Sequence, residues 1–173
     1  ENQIVVCSGA NASVGVDGIS VGADEAVLMQ LELSLEVVRA VAARTPGFVA
    51  LNAAPAQPLP ADLVERVDLF IVNETEYAAM PELRAARRVA VTYGASGAAM
   101  ITEGTETARV PAAPAPDVVN TVGAGDAFSA ALTLAIQAGT PDEQALRTAC
   151  AVGAAAVAHP SAQPPLERLE TYV

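Results

Sequence analysis

The chain of 173 residues carries a formal net charge of −11, and all nine of its basic residues are arginine. An acidic chain offers no basic stripe to a nucleic-acid backbone, and the absence of lysine removes Schiff-base chemistry and a P-loop, whose lysine reaches the terminal phosphates. A single histidine, His159, and two cysteines, Cys7 and Cys150, argue against a zinc site and a disulfide framework, and no apolar run reaches the ~20 residues of a membrane span.

The first predicted element is a short apolar run at 4–7. Comparable runs follow at 26–31, 48–51, 69–72 and 89–92, and all read as buried strands. Between them Ser34 is placed to cap a helix to about residue 43, with Leu35, Val38, Val41 and Ala42 on one face. Pro60 is placed to begin a short helix carrying Leu63, Val64 and Val67. Strand, helix and strand in repetition predict a parallel sheet covered on both faces.

Beyond Gly94 the pattern changes. Residues 98–102 and 107–111 read as an antiparallel pair around Glu103-Gly104, and 111–116 (PAAPAP) as a stiff connector. Two Ala-rich helices, at about 123–138 and 141–158, are separated by Gly139-Thr140-Pro141, a helix stop followed by a fresh start. There is no internal repeat, so residues 1–173 read as one domain. Both cysteines fall in apolar runs and read as buried thiols of a reducing cytoplasm.

The polar residues that punctuate the strands carry the first functional signal. Glu32, Asn52, Asn73 and Thr92 fall at or just past predicted strand ends, the edge where open parallel sheets bind ligands. The alternative is that they are caps and turn formers. A sharper signal is the segment at 120–128, NTVGAGDAF. Gly123, Ala124 and Gly125 let backbone approach a ligand, and the opening amides of the helix that follows form an anion hole. Asp126, inside that turn, is placed to take a proton from an attacking hydroxyl, or merely to complement the helix dipole.

NTVGAGDAF resembles the signature of the ribokinase-like carbohydrate kinases, which begins Asp-Thr where this chain has Asn120-Thr121. Four more segments match in order: LMQLE (28–32), the sugar-contacting strand end; LNAAPAQPLP (51–60); IVNETE (71–76); and VTYGASG (91–97), the nucleotide loop. The run at 147–164 aligns without a gap.

The resemblance implies a three-layer α/β/α fold with a mainly parallel sheet, its small lid sheet absent. It implies ATP-dependent phosphorylation of a sugar's primary hydroxyl, ribose first, with another sugar or a nucleoside as the alternative. Asp126 would be the base and a substrate contact, Gly123, Ala124 and Gly125 the anion hole, and Glu32 a further contact to sugar hydroxyls. Asn73 and Glu76 would orient the phosphates and a magnesium ion with its waters, and Thr92, Gly94 and Gly97 would run along the nucleotide. Phosphoryl transfer rests on positioning and charge stabilisation, so the absence of lysine is no obstacle.

The chain departs from the family in three ways. The N-terminal segment with the lid and much of the sugar pocket is missing, and with it the lid through which the family forms homodimers. Two spans are short: 15 residues separate Glu76 from Thr92, and 11–32 is compressed. A natural loss of covering helices would expose the sheet's apolar face, so the sequence reads as part of a longer chain. The third departure is at the family's monovalent-cation site. Asn120 keeps an oxygen but loses a charge, Pro165 replaces a serine, and Val122, His159 and Ser161 would contribute backbone carbonyls, so weak activation by potassium is expected.

Two other classes remain to be weighed. One is a truncated or degenerate protein that binds nucleotide without turnover. The other, a dinucleotide-dependent oxidoreductase, needs a G-x-G-x-x-G turn after its first strand, and SGANAS (8–13) is not one.

Overall fold

The computed structural model describes residues 9–115 and 117–172, so the predicted strand at 4–7 and Cys7 lie outside the described residues. Among the described residues six strands form one sheet in sequential order: β1 (Ala26–Gln30), β2 (Phe48–Asn52), β3 (Leu69–Asn73), β4 (Arg88–Thr92), β5 (Ala98–Thr102) and β6 (Thr105–Val110). The first four pair in parallel; β5 and β6 run antiparallel. Among the described residues five α-helices accompany the sheet: α1 (Leu35–Arg44), α2 (Ala61–Arg66), α3 (Glu74–Ala79), α4 (Ala124–Gln137) and α5 (Asp142–Val157).

The near-continuous apolar runs make central strands that bury both faces. On one face Val49, Leu51, Phe70, Val72, Val89 and Val91 pack under Val38 and Val41 of α1 and Leu63 and Val64 of α2. On the other, Ala50, Leu69, Ile71, Ala90 and Met100 meet Phe128 and Leu132 of α4 and Leu146 and Ala149 of α5. This is the expected three-layer arrangement.

Details differ at the margins. Val37, rather than Leu35, joins the buried face of α1, while Ser34 caps it by accepting a hydrogen bond from the Val37 amide at 3.3 Å. The hairpin turn is at Glu103-Gly104, with φ of 50° and 75°, the left-handed pair that matches strand twist. It is tighter than expected, since β6 begins at Thr105.

Between β3 and β4 the sequence reading assigned no element, yet α3 and a 3₁₀ turn at Pro81–Ala85 fill that span. Met80, Leu83 and Ala86 are buried there against the sheet's first face, and Phe70 and Val89 beneath are fully buried. The short span therefore leaves no bare apolar face at this point: one helical turn and a 3₁₀ turn cover it.

Candidate active site

Parallel strands bury both faces, so the first polar side chains appear where each strand leaves the core. Gln30, Asn52, Asn73 and Thr92 end β1 to β4 at one edge of the sheet, with Gln30 opposite Asn52 and Asn73 opposite Thr92 in register. Backbone bonds fix the edge beyond them: the Leu31 amide donates to the Ala54 carbonyl at 3.0 Å and the Ala53 amide to that of Ile71 at 2.9 Å. Glu32 follows β1 by two residues and is exposed.

At the β1–β2 end of this edge lies a cavity of about 400 Å³. Glu32, Asn52 and Asp126, singled out from the sequence, line it, together with Gln30, Asn11 and the buried Ser129. Leu28, Met29 and Leu33 supply its apolar wall. Asp126 arrives from the first turn of α4, and its Oδ1 accepts a hydrogen bond from Gln30 Nε2 at 2.9 Å. The sequence reading passed over Gln30, Asn11 and Ser129. The period-two alternation of β1 that carries Leu28 and Gln30 to one side of the strand was the available signal for Gln30.

α4 starts at a glycine in the left-handed region: Gly123, φ 84°, is the N-cap and makes no side-chain capping bond. A Cβ on Gly123 would collide with the Ala162 carbonyl, so the chain at 160–162 crosses closely over the helix start. Ala124 and Gly125 follow in the helix; the Ala124 amide makes a long bond to the Thr121 carbonyl at 3.4 Å, and the Ala127 amide donates to the Gly123 carbonyl at 2.9 Å. Asn120, Val122, His159 and Ser161 do come together here. Asn120 Nδ2 donates to the Pro160 carbonyl at 2.9 Å, and its Oδ1 accepts from the Val122 amide at 3.0 Å. The His159 ring nitrogen Nδ1 accepts from the Ser161 amide at 3.1 Å.

The remaining predicted residues stand farther along the edge, outside the cavity. Asn73 and Glu76 form a capping box at the start of α3, each side chain accepting the other's backbone N–H at 2.8 Å. Thr92 Oγ1 donates to the Val72 carbonyl at 3.3 Å. After Tyr93 comes a 3₁₀ turn, Gly94–Ser96, closed by the Tyr93 amide on the Gly97 carbonyl at 2.8 Å. Gly97 has φ 96°, and a Cβ there would collide with the Val110 carbonyl.

Arg109 of β6 lies 4.7 Å from the centre of the Tyr93 ring and is paired with Glu106 at 2.6 Å. Hydrogen bonding between the two holds the Glu106 carboxyl below, and the Arg109 guanidinium above, its ordinary range. This cation beside the 93–97 turn was not foreseen.

The chain, so arranged, is similar to proteins of known kind. The sequence model of the pfkB family carbohydrate kinases matches residues 19–169. A ribokinase of Arabidopsis thaliana is 26% identical over 184 residues, covering 91% of this chain and 48% of the relative. The fold superposes on the crystal structure of a ribokinase from Thermotoga maritima with a TM-score of 0.80 at 24% identity, covering 99% of this chain and 65% of that one. The structure of an Arabidopsis thaliana ribokinase complexed with ribose and ATP matches with a TM-score of 0.70 at 27% identity, covering 76% and 49% of the two chains. The chain spans about half the length of the curated relatives it matches, from 48% to 61%.

Proposed function

Because the chain belongs to the pfkB family of carbohydrate kinases, we propose that it carries the catalytic face of an ATP-dependent sugar kinase that phosphorylates a primary hydroxyl, with ribose as substrate. The observation that carries this reading is the cavity in which Asp126, at the head of α4, faces Glu32 and Asn52 from the strand ends. A polyol needs acceptors for its hydroxyl protons and donors for its lone pairs. Carboxylates supply the first and side-chain amides both. Among the described residues no Arg or His lines the cavity, which suits an uncharged sugar better than a sugar acid. The similar ribokinase that binds ribose and ATP supports the choice of substrates.

In this reading Asp126 takes the proton of the acceptor hydroxyl as that oxygen forms its bond to the γ-phosphorus. The bond from phosphorus to the β–γ bridging oxygen breaks, and ADP leaves with the electron pair. Amides of Gly123, Ala124 and Gly125 stabilise the charge on the transferred group. Thr92, Gly94 and Gly97 lie along the nucleotide.

Magnesium, when bound, would offset phosphate charge. It prefers oxygen ligands and keeps several waters. Glu76 fits that demand through water: one carboxylate oxygen serves the capping box, and the other is free of it. The monovalent-cation site fits less well, since the amide of Asn120 is already engaged on both sides. The same reading places the protein in the cytoplasm, with its ATP; among the described residues no helix is long and apolar enough to cross a membrane.

The test gives the complete gene product ATP, magnesium and a panel of ribose, ketohexoses, sugar acids and nucleosides, and follows ADP release. Ribose should show the highest kcat/KM and yield ribose 5-phosphate. A higher value for a nucleoside or a sugar acid replaces the substrate, and no turnover with any acceptor reduces the protein to a nucleotide binder.

A further inference from the structure

We propose that Gln30 is a positioning residue for the proton acceptor: its amide fixes the Asp126 carboxylate and leaves one oxygen to the substrate hydroxyl. The inference rests on the reading of Asp126 as the base. Gln30 and Asp126 are 96 residues apart in sequence, yet the end of β1 and the first turn of α4 bring them to 2.9 Å. An ionised carboxylate only accepts, so the amide must present Nε2 to it. That commits Oδ1 and leaves Oδ2 for the incoming proton.

The need for such a partner follows from where Asp126 sits. It is exposed at a helix start, and the bond from Gln30 is the single side-chain hydrogen bond it makes among the described residues. A free aspartate at a helix surface rotates, and a base displaced by about 1 Å loses on the order of 10²-fold in rate. Gln30 is a sound anchor. Its backbone is paired with Asn52 of β2, and its neighbour Met29 is buried. Its amide does not titrate, so it serves Asp126 wherever Asp126 is ionised.

Other charges leave this pair to itself. Among the described residues, Glu32 is the other titratable group lining the cavity. The strands β1 and β2, which pack against α4, carry no titratable side chain. On α5, Asp142, Glu143, Arg147 and Cys150, with His159 just beyond, lie outside the cavity lining, and Arg147 is spent on Glu143 at 2.7 Å.

Two near-isosteric variants of the complete gene product test the idea with ribose and ATP. Gln30→Met keeps length and volume but loses the amide; kcat should fall about tenfold while KM for ATP stays within about twofold. Gln30→Glu sets a second carboxylate against Asp126, and two carboxylates at this distance retain a shared proton to higher pH. The acid limb of its kcat/KM profile should move up by about one pH unit or more. The Asp126 carboxyl carbon resonance, assigned by its loss in Asp126→Asn, should titrate higher by a similar amount, a readout that needs no turnover. A carboxylate at position 30 shifts Asp126 by proximity alone, so that shift reports the contact and Gln30→Met reports the role: wild-type kcat in Gln30→Met, or no shift in Gln30→Glu, overturns the proposal. Asp126→Asn run in parallel separates the two readings: if it keeps turnover, the base assignment falls and this inference with it. If it abolishes turnover while both Gln30 variants behave as wild type, only the positioning role falls.

Discussion

Asn73 and Glu76 hold each other at the start of α3, each side chain accepting the other's backbone N–H at 2.8 Å. A capping box is the ordinary reason for an Asn-x-x-Glu spacing, because it satisfies two amides that a helix start leaves unpaired. The magnesium role and the structural role therefore compete for the same carboxylate, and charge separates them.

Glu76→Gln is the discriminating substitution. Glutamine still offers an oxygen to the Asn73 amide, so the cap survives, and the lost charge at the helix start costs under about 1 kcal/mol of stability. The magnesium concentration for half-maximal rate should rise several-fold with sugar KM unchanged. If the magnesium dependence stays put, the box is all that Glu76 provides.

Asp126→Asn addresses the base. The amide keeps the shape of the side chain but cannot take up the hydroxyl proton. Nucleotide affinity should stay within a few-fold, while kcat falls by roughly 10²- to 10⁴-fold. Near-normal turnover would end the assignment.

Much of this site was legible in the sequence because parallel strands concentrate information. Their interiors admit only apolar residues, so Asn52, Asn73 and Thr92 marked where each strand stops, and all three end strands in the structure. The helix start at Gly123 was legible for the same kind of reason: a small-residue turn before a long apolar-faced segment. Gln30 was not, because a glutamine ending a strand looks like any polar exit residue, and its partner lies 96 positions away. α3 was missed because none of its six residues is fully buried and only Tyr77 packs, half-buried, against the core, so no helical periodicity was there to read. Arg109 gave no signal on its own, since its place over Tyr93 depends on the pairing of β5 with both neighbours.

Gly97 illustrates a residue whose conservative explanation is packing. Its φ of 96° with ψ −144° is a conformation open to glycine alone, and β6 leaves no room for a Cβ. Gly97→Ala should therefore destabilise the fold by about 3 kcal/mol, combining backbone strain with overpacking, seen as a lower urea midpoint without nucleotide. An unchanged midpoint with weakened ATP binding would assign the glycine to nucleotide approach instead.

The final prediction concerns Asn120. Its Nδ2 donates to the Pro160 carbonyl at 2.9 Å, and its Oδ1 accepts from the Val122 amide at 3.0 Å, so one uncharged side chain ties the loop before α4 to the loop after α5. A carboxylate at this position could keep the second bond but not the first. It would set an oxygen against the Pro160 carbonyl oxygen, and two acceptors at that distance need a cation between them. Asparagine removes that need by supplying its own N–H. We therefore expect potassium to activate the complete gene product less than about threefold at ~100 mM, with ionic strength held constant to remove general screening. Asn120→Asp should make activity strongly potassium-dependent, and without potassium it should fall below the unmodified protein because the two oxygens then repel. Strong potassium activation of the unmodified protein would show that carbonyls such as those of Val122, His159 and Ser161 hold the ion without a charged side chain, and the reading of Asn120 as its substitute would fail.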